Sequence, residues 1–300
     1  MTGPASLHAP SAAAFQASLG WRTELAFARF DGRVVDAGDH LVVRTPTNPT
    51  YWWGNYLLFP RPPREGEAAD WIARFEDEIR RGQPASRHLA FGVDASGDFS
   101  LPADFVAQGL TMQGNVVLTR GLEDGGPRVE PPPAGVFAPL DLARDAGAVV
   151  DKHVIVDAGR FETCGYRVYA AKQMARYAAM DAAGLGHWFG WWVDAPAAND
   201  GSPSAGRVLA ASCGLFRCDV GLDRPVGRFQ YVSTHPDWRR RGLCRALVAA
   251  ACRHAHARMG LEDLVMMADP DDVAIGIYES LGFARGVRMW HIEKGSVDAR

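Results

Sequence analysis

The second half of the chain alternates between two patterns of apolar residues. Between Phe161 and Ala183 they recur every three or four positions, which is typical of a helix with one buried face. Shorter runs rich in Trp, Val, Phe and Tyr, bounded by turn residues, are typical of strands. In chain order the patterns predict a helix, a meander of three antiparallel strands, a helix, a strand, a helix and a strand. Their predicted bounds are Phe161–Ala183, His187–Val193, Val208–Phe216, Arg228–Thr234, Gly242–Met259, Leu264–Ala268, Asp271–Leu281 and Val287–Ile292.

The first half shows a weaker echo of this order. A strand, a helix, a strand and a short helix are predicted at Tyr51–Phe59, Ala69–Ile79, His88–Val93 and Phe105–Leu110. The last segment resembles Tyr278–Phe283, since both place an aromatic residue four positions before a glycine that an apolar residue follows. We therefore expect a degenerate internal repeat, in which Tyr51–Phe59 matches Arg228–Thr234.

Stretches rich in Gly and Pro divide the chain. Gly121–Gly135 contains Gly125-Gly126-Pro127 and a run of three prolines, so it is predicted to be a linker. A second stretch, Ala195–Gly206, lies inside the C-terminal part and is typical of a surface connection in a hairpin. The predicted domains are residues 1–125 and 136–300, joined by a linker at 126–135.

Composition narrows the class of protein. The 300 residues carry a net charge of -3 and are 47% hydrophobic, which is ordinary for a globular protein and argues against broad binding to nucleic acid or anionic membranes. Met1–Ala14 has no apolar core of signal-peptide length, and no later stretch is apolar for long enough to span a bilayer. Five cysteines without a CxxC pair fit reduced thiols and no metal site. We expect a cytoplasmic monomer or homodimer.

The strongest chemical signal lies between Tyr231 and Leu247, where a predicted strand ends at a proline and a basic loop leads into a helix. The first N–H groups of a helix have no partners within it, and the helix dipole places partial positive charge there. Gly242 has no side chain to block a ligand, and the three arginines at 239–241 add charged donors. The segment is therefore predicted to hold a pyrophosphate. The alternative is a basic surface loop before an ordinary helix.

This segment resembles the phosphate-binding motif of the GNAT superfamily of N-acyltransferases. The family pattern Q/R-x-x-G-x-G/A is matched by Arg239-Arg240-Arg241-Gly242-Leu243-Cys244, with Cys244 where the family has Gly or Ala. A later family pattern, Y-x-x-x-G-F, is matched between Tyr278 and Phe283. The two motifs cover only part of Arg228–Phe283, and the element order of the whole C-terminal part agrees with them.

The resemblance implies a GNAT acyl-CoA N-acyltransferase fold, an α/β fold with a mixed sheet. It would be complete in the C-terminal domain and partial or degenerate in the N-terminal one. In this fold the fourth and fifth strands splay apart around the acyl donor, here acetyl-CoA. Backbone groups of Val232, Ser233 and Thr234 would pair with the pantetheine arm. An N–H near Tyr231 or Val232 would polarise the thioester carbonyl.

The resemblance also implies roles for the two motifs. Tyr278 would protonate the departing thiolate of coenzyme A, since a phenol can give up its proton there without placing a charged acid in the site. The phosphates would be held by the basic loop between His235 and Gly242, called the phosphate loop below, and by the first turn of the helix. The residues concerned are Arg239, Arg240, Arg241, Gly242, Leu243, Cys244 and Arg245.

The sequence leaves the general base open. No carboxylate occurs on the fourth strand, so the candidates are Asp269, His235, or a water held by Gln230 or Ser233. We predict an N-acetyltransferase that moves the acetyl group of acetyl-CoA to a small-molecule or peptide amine by direct attack on the thioester. The missing carboxylate motivates the alternative, a non-catalytic acyl-CoA-binding or regulatory module with the same fold.

The N-terminal half offers two further features. The aromatic group Tyr51–Tyr56 could line an acceptor pocket or form a buried strand. The counterpart of the phosphate loop, Pro60–Glu67, lacks the signature, because its prolines have no N–H to donate and Glu65 and Glu67 would repel a pyrophosphate. We therefore expect this half to bind no coenzyme A and to shape the acceptor site or support the other domain.

Overall fold

The structure, a computed structural model, describes residues 16–130, 132, 134–160, 162–195, 206–218 and 221–295. Met1–Ala14, Pro131, Pro133, Phe161 and most of the predicted loop Ala195–Gly206 lie outside the described residues. The helices are α1 Leu19–Asp31, α2 Ala68–Phe75, α3 Ala103–Ala107, α4 Leu142–Val156, α5 Thr163–Ala182, α6 Leu243–Met259 and α7 Ala274–Ser280. The strands are β1 Arg33–Asp36, β2 Leu41–Arg44, β3 Tyr56–Phe59, β4 Leu89–Val93, β5 Thr111–Gly121, β6 Val136–Pro139, β7 Gly186–Asp194, β8 Arg207–Arg217, β9 Val226–Thr234, β10 Asp263–Ala268 and β11 Ala284–Lys294.

The two halves repeat the same order of elements. The series α1, β1, β2, β3, α2, β4, α3, β5 matches the series α5, β7, β8, β9, α6, β10, α7, β11, which confirms the predicted internal repeat. The ends of α3 and α7 agree in detail. The N–H of Leu110 donates to the carbonyl of Phe105 at 3.2 Å, and the N–H of Phe283 donates to that of Tyr278 at 3.1 Å. The short sequence match between these segments thus reflects a shared turn.

The described strands join one sheet, because the halves exchange their last strands. The order is β1-β2-β3-β4-β11-β5-β10-β9-β8-β7-β6. Strand β11 ends the C-terminal half but pairs with β4. Strand β5 ends the N-terminal half, within predicted domain 1–125, but pairs with β10. Backbone hydrogen bonds therefore connect the two halves directly.

Helices pack on both faces of the C-terminal part of the sheet. Successive side chains of a strand point to opposite faces, and the neighbours Trp188 and Phe189 of β7 enter different cores. Trp188 packs with residues of α4 and α5, whereas Phe189 packs with the Ala-rich face of α6. Both side chains are fully buried. Helix α6 is thereby fixed against β8 and β9, next to the strand that carries the predicted donor site.

Two predicted elements start later than the sequence indicates. The strand expected at Tyr51–Phe59 begins at Tyr56, because Trp52–Gly54 forms a turn of 3₁₀ helix. The helix expected at Asp271–Leu281 begins at Ala274. Before that helix, Asp269 accepts the N–H of Asp271, and Asp272 accepts the N–H of Ala274, the first helical residue. Both corrections move residues from regular elements into turns: the aromatic residues before Tyr56 and the acidic residues before Ala274.

Six elements carry too little pattern to be predicted from sequence: α1, α4, β1, β2, β5 and β6. Strand β5 shows the reason, since it mixes Gly, Asn, Gln and Thr with its apolar residues and has no strict alternation. In the ranges that the structure describes, no helix combines the length and apolarity that crossing a bilayer requires. Nor do those ranges contain a group of three or more His, Cys, Asp or Glu side chains placed to hold a metal ion.

Candidate active site

Strands β9 and β10 are paired at one end and separate toward the other. They pair in parallel only at Val226, Gly227 and Arg228 of β9. Beyond this point β9 continues to Thr234 and β10 to Ala268 without pairing to each other. The expected splay between these strands is confirmed. The backbone groups on the two facing edges can pair with an extended ligand, as they would with an added strand.

A β-bulge lies in the separated part of β9. Gln230 and Ser233 keep their partners on β8, but the two residues between them, Tyr231 and Val232, face a single residue, Cys213. Tyr231 has a φ of 42°, a left-handed conformation that residues other than glycine rarely adopt. A bulge leaves backbone groups outside the regular ladder. The bulge therefore interrupts the regular register at Tyr231 and Val232, where the family resemblance implies that a backbone N–H polarises a carbonyl.

Helix α4, which the sequence does not predict, supports this bulge. The ring of His153 lies 3.8 Å from the ring of Tyr231, measured between centroids. The hydroxyl of Tyr231 donates to the carboxylate of Asp157 just after the helix. The ammonium of Lys152 donates to the carbonyl of Ser233 at 3.2 Å and to its hydroxyl at 2.5 Å. Burial lowers the pKa of Lys152 to about 7 and that of His153 well below its usual value.

The loop after β9 presents positive charge beside the N-terminus of a helix. Arg239, Arg240 and Arg241 are exposed, and no carboxylate of the described residues lies within 4.0 Å of their guanidinium groups. The N-cap of α6 is Gly242, which has a φ of 77° and no side chain to accept a hydrogen bond from the first turn. A Cβ built on Gly242 would meet no atom within 4 Å, so the space before the helix is open. These features suit a pyrophosphate.

The first turn of α6 contains three further predicted residues in different environments. Leu243 is buried, Cys244 is half-buried and Arg245 is exposed. Burial raises the pKa of the Cys244 thiol to about 11. A thiol that stays protonated at neutral pH is a poor nucleophile. Cys244 is therefore suited to packing, whereas Arg245 extends the exposed positive charge of the loop.

Tyr278 of α7 packs in the same core as the first turn of α6. Its side chain is 6% exposed and lies in one cluster with Leu243. Burial raises the pKa of Tyr278 well above its usual value, and the nearby Cys244 and Asp272 act in the same direction. The phenol is therefore protonated at neutral pH, which is the state a proton donor needs.

Two predicted candidates for the base follow the separated strands. Asp269 lies after β10, where it accepts the side-chain amide of Gln113 at 3.4 Å and the N–H of Asp271 at 3.0 Å. His235 lies after β9 and accepts the N–H of Asp237 at 3.3 Å. Gln113 also lines a cavity between the two halves of the chain. Asp269 is thus close to that cavity, while His235 belongs to the phosphate loop.

That cavity has a volume of about 290 Å³ and adjoins β9 from its last paired residue to the bulge. Its walls come from both halves: α1, the turn before β3, and β5 on one side, and α5, β9, β10 and β11 on the other. The N-terminal aromatic group contributes Tyr51 and Trp53 to the lining, whereas Tyr56 is buried in β3. Tyr56 therefore belongs to a buried strand, whereas Tyr51 and Trp53 line a cavity. The aromatic lining residues are Trp21, Tyr51, Trp53, Tyr169, Phe229 and Tyr231.

Two charged groups of the cavity neutralise each other. Arg228 of β9 donates to the carboxylate of Glu24 on α1 at 2.7 Å and to the hydroxyl of Thr23 at 2.8 Å. Arg228 is only 1% exposed, so this ion pair links the two halves inside the protein. Burial, together with the charge of Arg228, lowers the pKa of His291 to about 3. His291 is therefore a neutral and weakly basic part of the wall.

Glu293 of β11 is a carboxylate that the sequence analysis does not single out. The indole N–H of Trp53 donates to it at 3.2 Å. Burial raises the pKa of Glu293 above its usual value. It lies two positions after His291, so both side chains face the cavity. A single acidic residue beyond the predicted end of a strand carries no sequence signal, because only the exchange of last strands brings β11 to this place.

The N-terminal counterpart of the phosphate loop is occupied by the protein's own carboxylates. Glu67 accepts two hydrogen bonds from the guanidinium of Arg61, at 2.7 and 2.8 Å. Asp104 accepts the N–H groups of Gly66 and Ala68, at 3.0 and 2.9 Å. Strands β3 and β4 stay paired through their last residues. This half therefore lacks both the splay and the open helix start of the C-terminal site.

Comparison with known proteins finds one family in the C-terminal half. Residues 160–283 match the Acetyltransferase (GNAT) family. A mycothiol acetyltransferase from Thermobispora bispora is 39% identical over 66 residues, which cover 22% of this chain and 22% of that protein. A mycothiol acetyltransferase from Nocardiopsis dassonvillei is 42% identical over 67 residues, which cover 22% of this chain and 19% of that protein. The chain thus aligns with about a fifth of each of these relatives.

Two solved structures share the fold over most of the chain. A GCN5-related N-acetyltransferase from Kribbella flavida has a TM-score of 0.55 at 18% identity and covers 94% of this chain and 100% of its own. A functionally unknown conserved protein from Staphylococcus epidermidis has a TM-score of 0.63 at 11% identity and covers 89% of this chain and 96% of its own. At these identities the likeness establishes the fold, and it extends across both halves.

Proposed function

The C-terminal half of this chain is a domain of the GNAT acetyltransferase family, and on that premise we propose that the protein moves the acetyl group of acetyl-CoA to an amine. The observation that carries the proposal is a continuous path. Along β9, this path would lead from the exposed arginines that follow the strand, past the edge that separates from β10, to the cavity that adjoins the bulge at Tyr231. A donor lying along this path would bring its thioester to the bulge and its acyl carbon to the cavity.

The donor would be held by backbone groups and by positive charge. Arg239, Arg240 and Arg241, with the first N–H groups of α6, would bind the pyrophosphate, and Arg245 would add charge from the first turn. The open space at Gly242 supports this assignment, because a phosphate needs close approach to the backbone. The pantetheine arm would pair with the edge of β9 from Val232 to Thr234, as an added strand does.

The proposed reaction is a direct transfer. The amine nitrogen attacks the carbonyl carbon of the thioester, so a C–N bond forms and the C–S bond breaks. A backbone N–H at the bulge, from Tyr231 or Val232, stabilises the negative charge on the carbonyl oxygen. Tyr278 gives its proton to the departing thiolate. The amine gives up its own proton to a base, and two carboxylates reach this region: Asp269 beside Gln113, and Glu293 in the cavity wall.

Isothermal titration with acetyl-CoA tests the donor site. We expect wild-type protein to bind, and the variant Arg239→Glu/Arg240→Glu to lose about tenfold or more in affinity, since a hydrogen bond to a charged group contributes about 1.5 kcal/mol or more. The matched control is Arg64→Glu/Arg81→Glu, which reverses two exposed arginines of the N-terminal half. Absence of binding by the wild type, or equal losses in both double variants, would contradict the proposal.

A thiol-release assay separates transfer from binding alone. The wild-type protein is incubated with acetyl-CoA and a panel of amines, and free coenzyme A is measured with a thiol reagent. Amine-dependent release above the hydrolytic background is the expected result. Tight binding of acetyl-CoA without release for any amine would favour the alternative, a non-catalytic acyl-CoA-binding or regulatory module.

A further inference from the structure

The chemistry of the cavity walls restricts the chemical class of amine that the cavity can bind. Three charged side chains line it, and two of them, Glu24 and Arg228, form an ion pair at 2.7 Å. That leaves Glu293, which has no cationic partner within 4.0 Å among the described residues. Its one hydrogen-bond donor there is the indole N–H of Trp53, a neutral group. The cavity therefore offers one carboxyl group without a cationic partner among the described residues.

Glu293 shares its cavity with the backbone at the bulge of β9. The residues that line it include Glu293 on β11, Met267 on β10 and Tyr231 at the bulge of β9. A ligand whose positive end lies at Glu293 therefore shares the cavity with the backbone that would polarise the thioester. A carboxylate partly removed from water interacts strongly with an ammonium group, because solvent screening is reduced there.

The remaining walls fit a flat apolar group. Trp21, Tyr51, Trp53 and Tyr169 present aromatic rings, and such rings attract both planar apolar groups and cations. The volume of about 290 Å³ is near the lower limit for small-molecule pockets. A molecule with several positive charges would leave all but one of them without a carboxylate inside this cavity, which is costly.

We infer that the cavity binds a small primary amine with one positive charge and a planar apolar body, and that Glu293 holds the ammonium group and takes its proton. This inference rests on the proposed acetyl transfer. One proton passes from the ammonium to the Glu293 carboxylate, and the free amine then attacks the thioester. As the C–N bond forms, the second nitrogen-bound proton passes to solvent water. The C–S bond breaks as Tyr278 protonates the thiolate, and Tyr278 then regains a proton from solvent.

The other titratable or charged groups around Glu293 are ion-paired, hydrogen-bonded to uncharged groups of the protein, or neutral. Glu24 and Arg228 bind each other, and burial together with Arg228 keeps His291 neutral. The ammonium of the adjacent Lys294 donates to the carbonyl of Gln108 at 2.7 Å. The remaining groups that face the cavity or its rim are Tyr51, Tyr169, Tyr231 and, beyond Gln113, Asp269.

The first test compares amines and one pair of matched variants in the thiol-release assay with acetyl-CoA. We expect 2-phenylethylamine to be acetylated with a higher kcat/KM than spermidine or kanamycin, which carry several charges. Glu293→Gln should lower kcat/KM for 2-phenylethylamine by about 100-fold or more, the range for loss of a general base. Glu262→Gln, a surface carboxylate paired with Arg224, should leave it unchanged.

Titration with acetyl-CoA distinguishes failure of the inference from failure of the proposed function. If the wild type binds no acetyl-CoA, the proposed function fails and the inference fails with it. If the wild type and Glu293→Gln bind acetyl-CoA equally but spermidine or kanamycin is the better acceptor, only the inference is overturned. If acetyl-CoA binds but no amine of the panel is acetylated, the proposed transfer fails and the inference fails with it. If Glu293→Gln is as active as the wild type, only the inference is overturned.

Trp53 provides a second readout, because its role is to position and tune Glu293. Trp53→Phe keeps an aromatic wall but removes the N–H that lowers the pKa of the carboxylate. The active form is the ionised one, so the acid limb of kcat/KM against pH should move to higher pH. A variant that is slower by the same factor at every pH would show a structural role only and would contradict the assignment.

Discussion

The two halves of the chain repeat one order of elements but end their central parallel strands differently. In the N-terminal half, β3 and β4 are paired up to Phe59 and Val93, and the N–H of Asp94 donates to the carbonyl of Phe59 at 2.9 Å. In the C-terminal half, β9 extends to Thr234 beyond its last pair with β10. Where two strand edges are paired, their backbone groups bind each other and cannot bind a ligand; where the edges separate, those groups are available. We therefore call the N-terminal half the closed half and the C-terminal half the open half.

The loops that follow show the same contrast in charge. In the N-terminal half Arg61 is bound by Glu67, and Asp104 accepts N–H groups at the start of α2. In the C-terminal half the exposed Arg239 and Arg240 have no such carboxylates among the described residues. A helix start is attractive to an anion only while its N–H groups are unoccupied. A few side chains and one strand edge therefore decide whether a copy of this fold unit can bind an anion or serves only as support for the other copy.

The closed half still contributes to the site, through its aromatic residues. Trp21, Tyr51 and Trp53 line the cavity beside the open half. The exchange of β5 and β11 places the two halves in one sheet and so brings these rings to the bulge. In the proposed function, the N-terminal half has no donor site and supplies the acceptor wall.

The largest effect is expected at Tyr278, where the N-terminal half has Phe105. Tyr278→Phe makes the open half resemble the closed one at this position and removes the proposed proton donor. We expect kcat to fall about 100-fold or more, which is the scale of general acid catalysis. Steady-state kinetics and titration with acetyl-CoA measure this directly. Unchanged kcat, or a loss explained wholly by weaker donor binding, would remove Tyr278 from the mechanism.

The next largest effect, on stability, is expected at Lys152. Its helix α4 precedes the second repeat and contacts β9, the strand with the open edge. Burial lowers its pKa from 10.5 to about 7 in the folded protein. Between these values the unfolded chain binds more protons, so stability rises with pH from about 7 toward 10.5. Each unit of pKa difference corresponds to about 1.4 kcal/mol.

Lys152→Met keeps the length of the side chain without its charge. We expect the variant to be more stable than the wild type at pH 7, and the difference to shrink at pH 9.5. Two hydrogen bonds to Ser233 are lost, at about 1 kcal/mol each, which reduces the gain without reversing it. Urea unfolding at both pH values is the measurement. A variant less stable than the wild type at pH 7 would show that the buried ammonium stabilises the bulge.

The smallest effect is expected in the closed loop. Glu67→Gln weakens the ion pair with Arg61, whose side chains are 25% and 41% exposed. Exposed pairs contribute about 1 kcal/mol or less, so stability should change little. Affinity for acetyl-CoA should stay the same, with one molecule bound per chain, because β3 and β4 remain paired. A second binding event in the titration would show that the carboxylate alone keeps the N-terminal half closed.

The sequence predicts the C-terminal half well because each of its elements carries its own pattern. The strands β7 to β9 are aromatic and β-branched runs, and the loop from Arg239 to Gly242 has a composition that suits one chemistry. Such signals lie within a few residues of each other along the chain. They sufficed for the element order and the repeat, whereas the splay was implied by the family resemblance.

The cavity could not be predicted in this way, because distant residues build it. Trp53 and Glu293 are separated by 240 positions, and Arg228 and Glu24 by 204. No periodicity within one segment reports such a pair. Helices α1 and α4, which supply Glu24 and Lys152, are also the helices whose mixed pattern gives no clear prediction. The cavity therefore emerges only from the topology.

Hydrogen exchange of the wild-type protein with and without acetyl-CoA tests the contrast between the halves most directly. We predict that the ligand slows amide exchange at residues 231–245, across the bulge, the phosphate loop and the start of α6. No change is expected at residues 59–68, which form the same part of the N-terminal half. Protection of residues 59–68, or of neither segment, would contradict a single donor site in the C-terminal half.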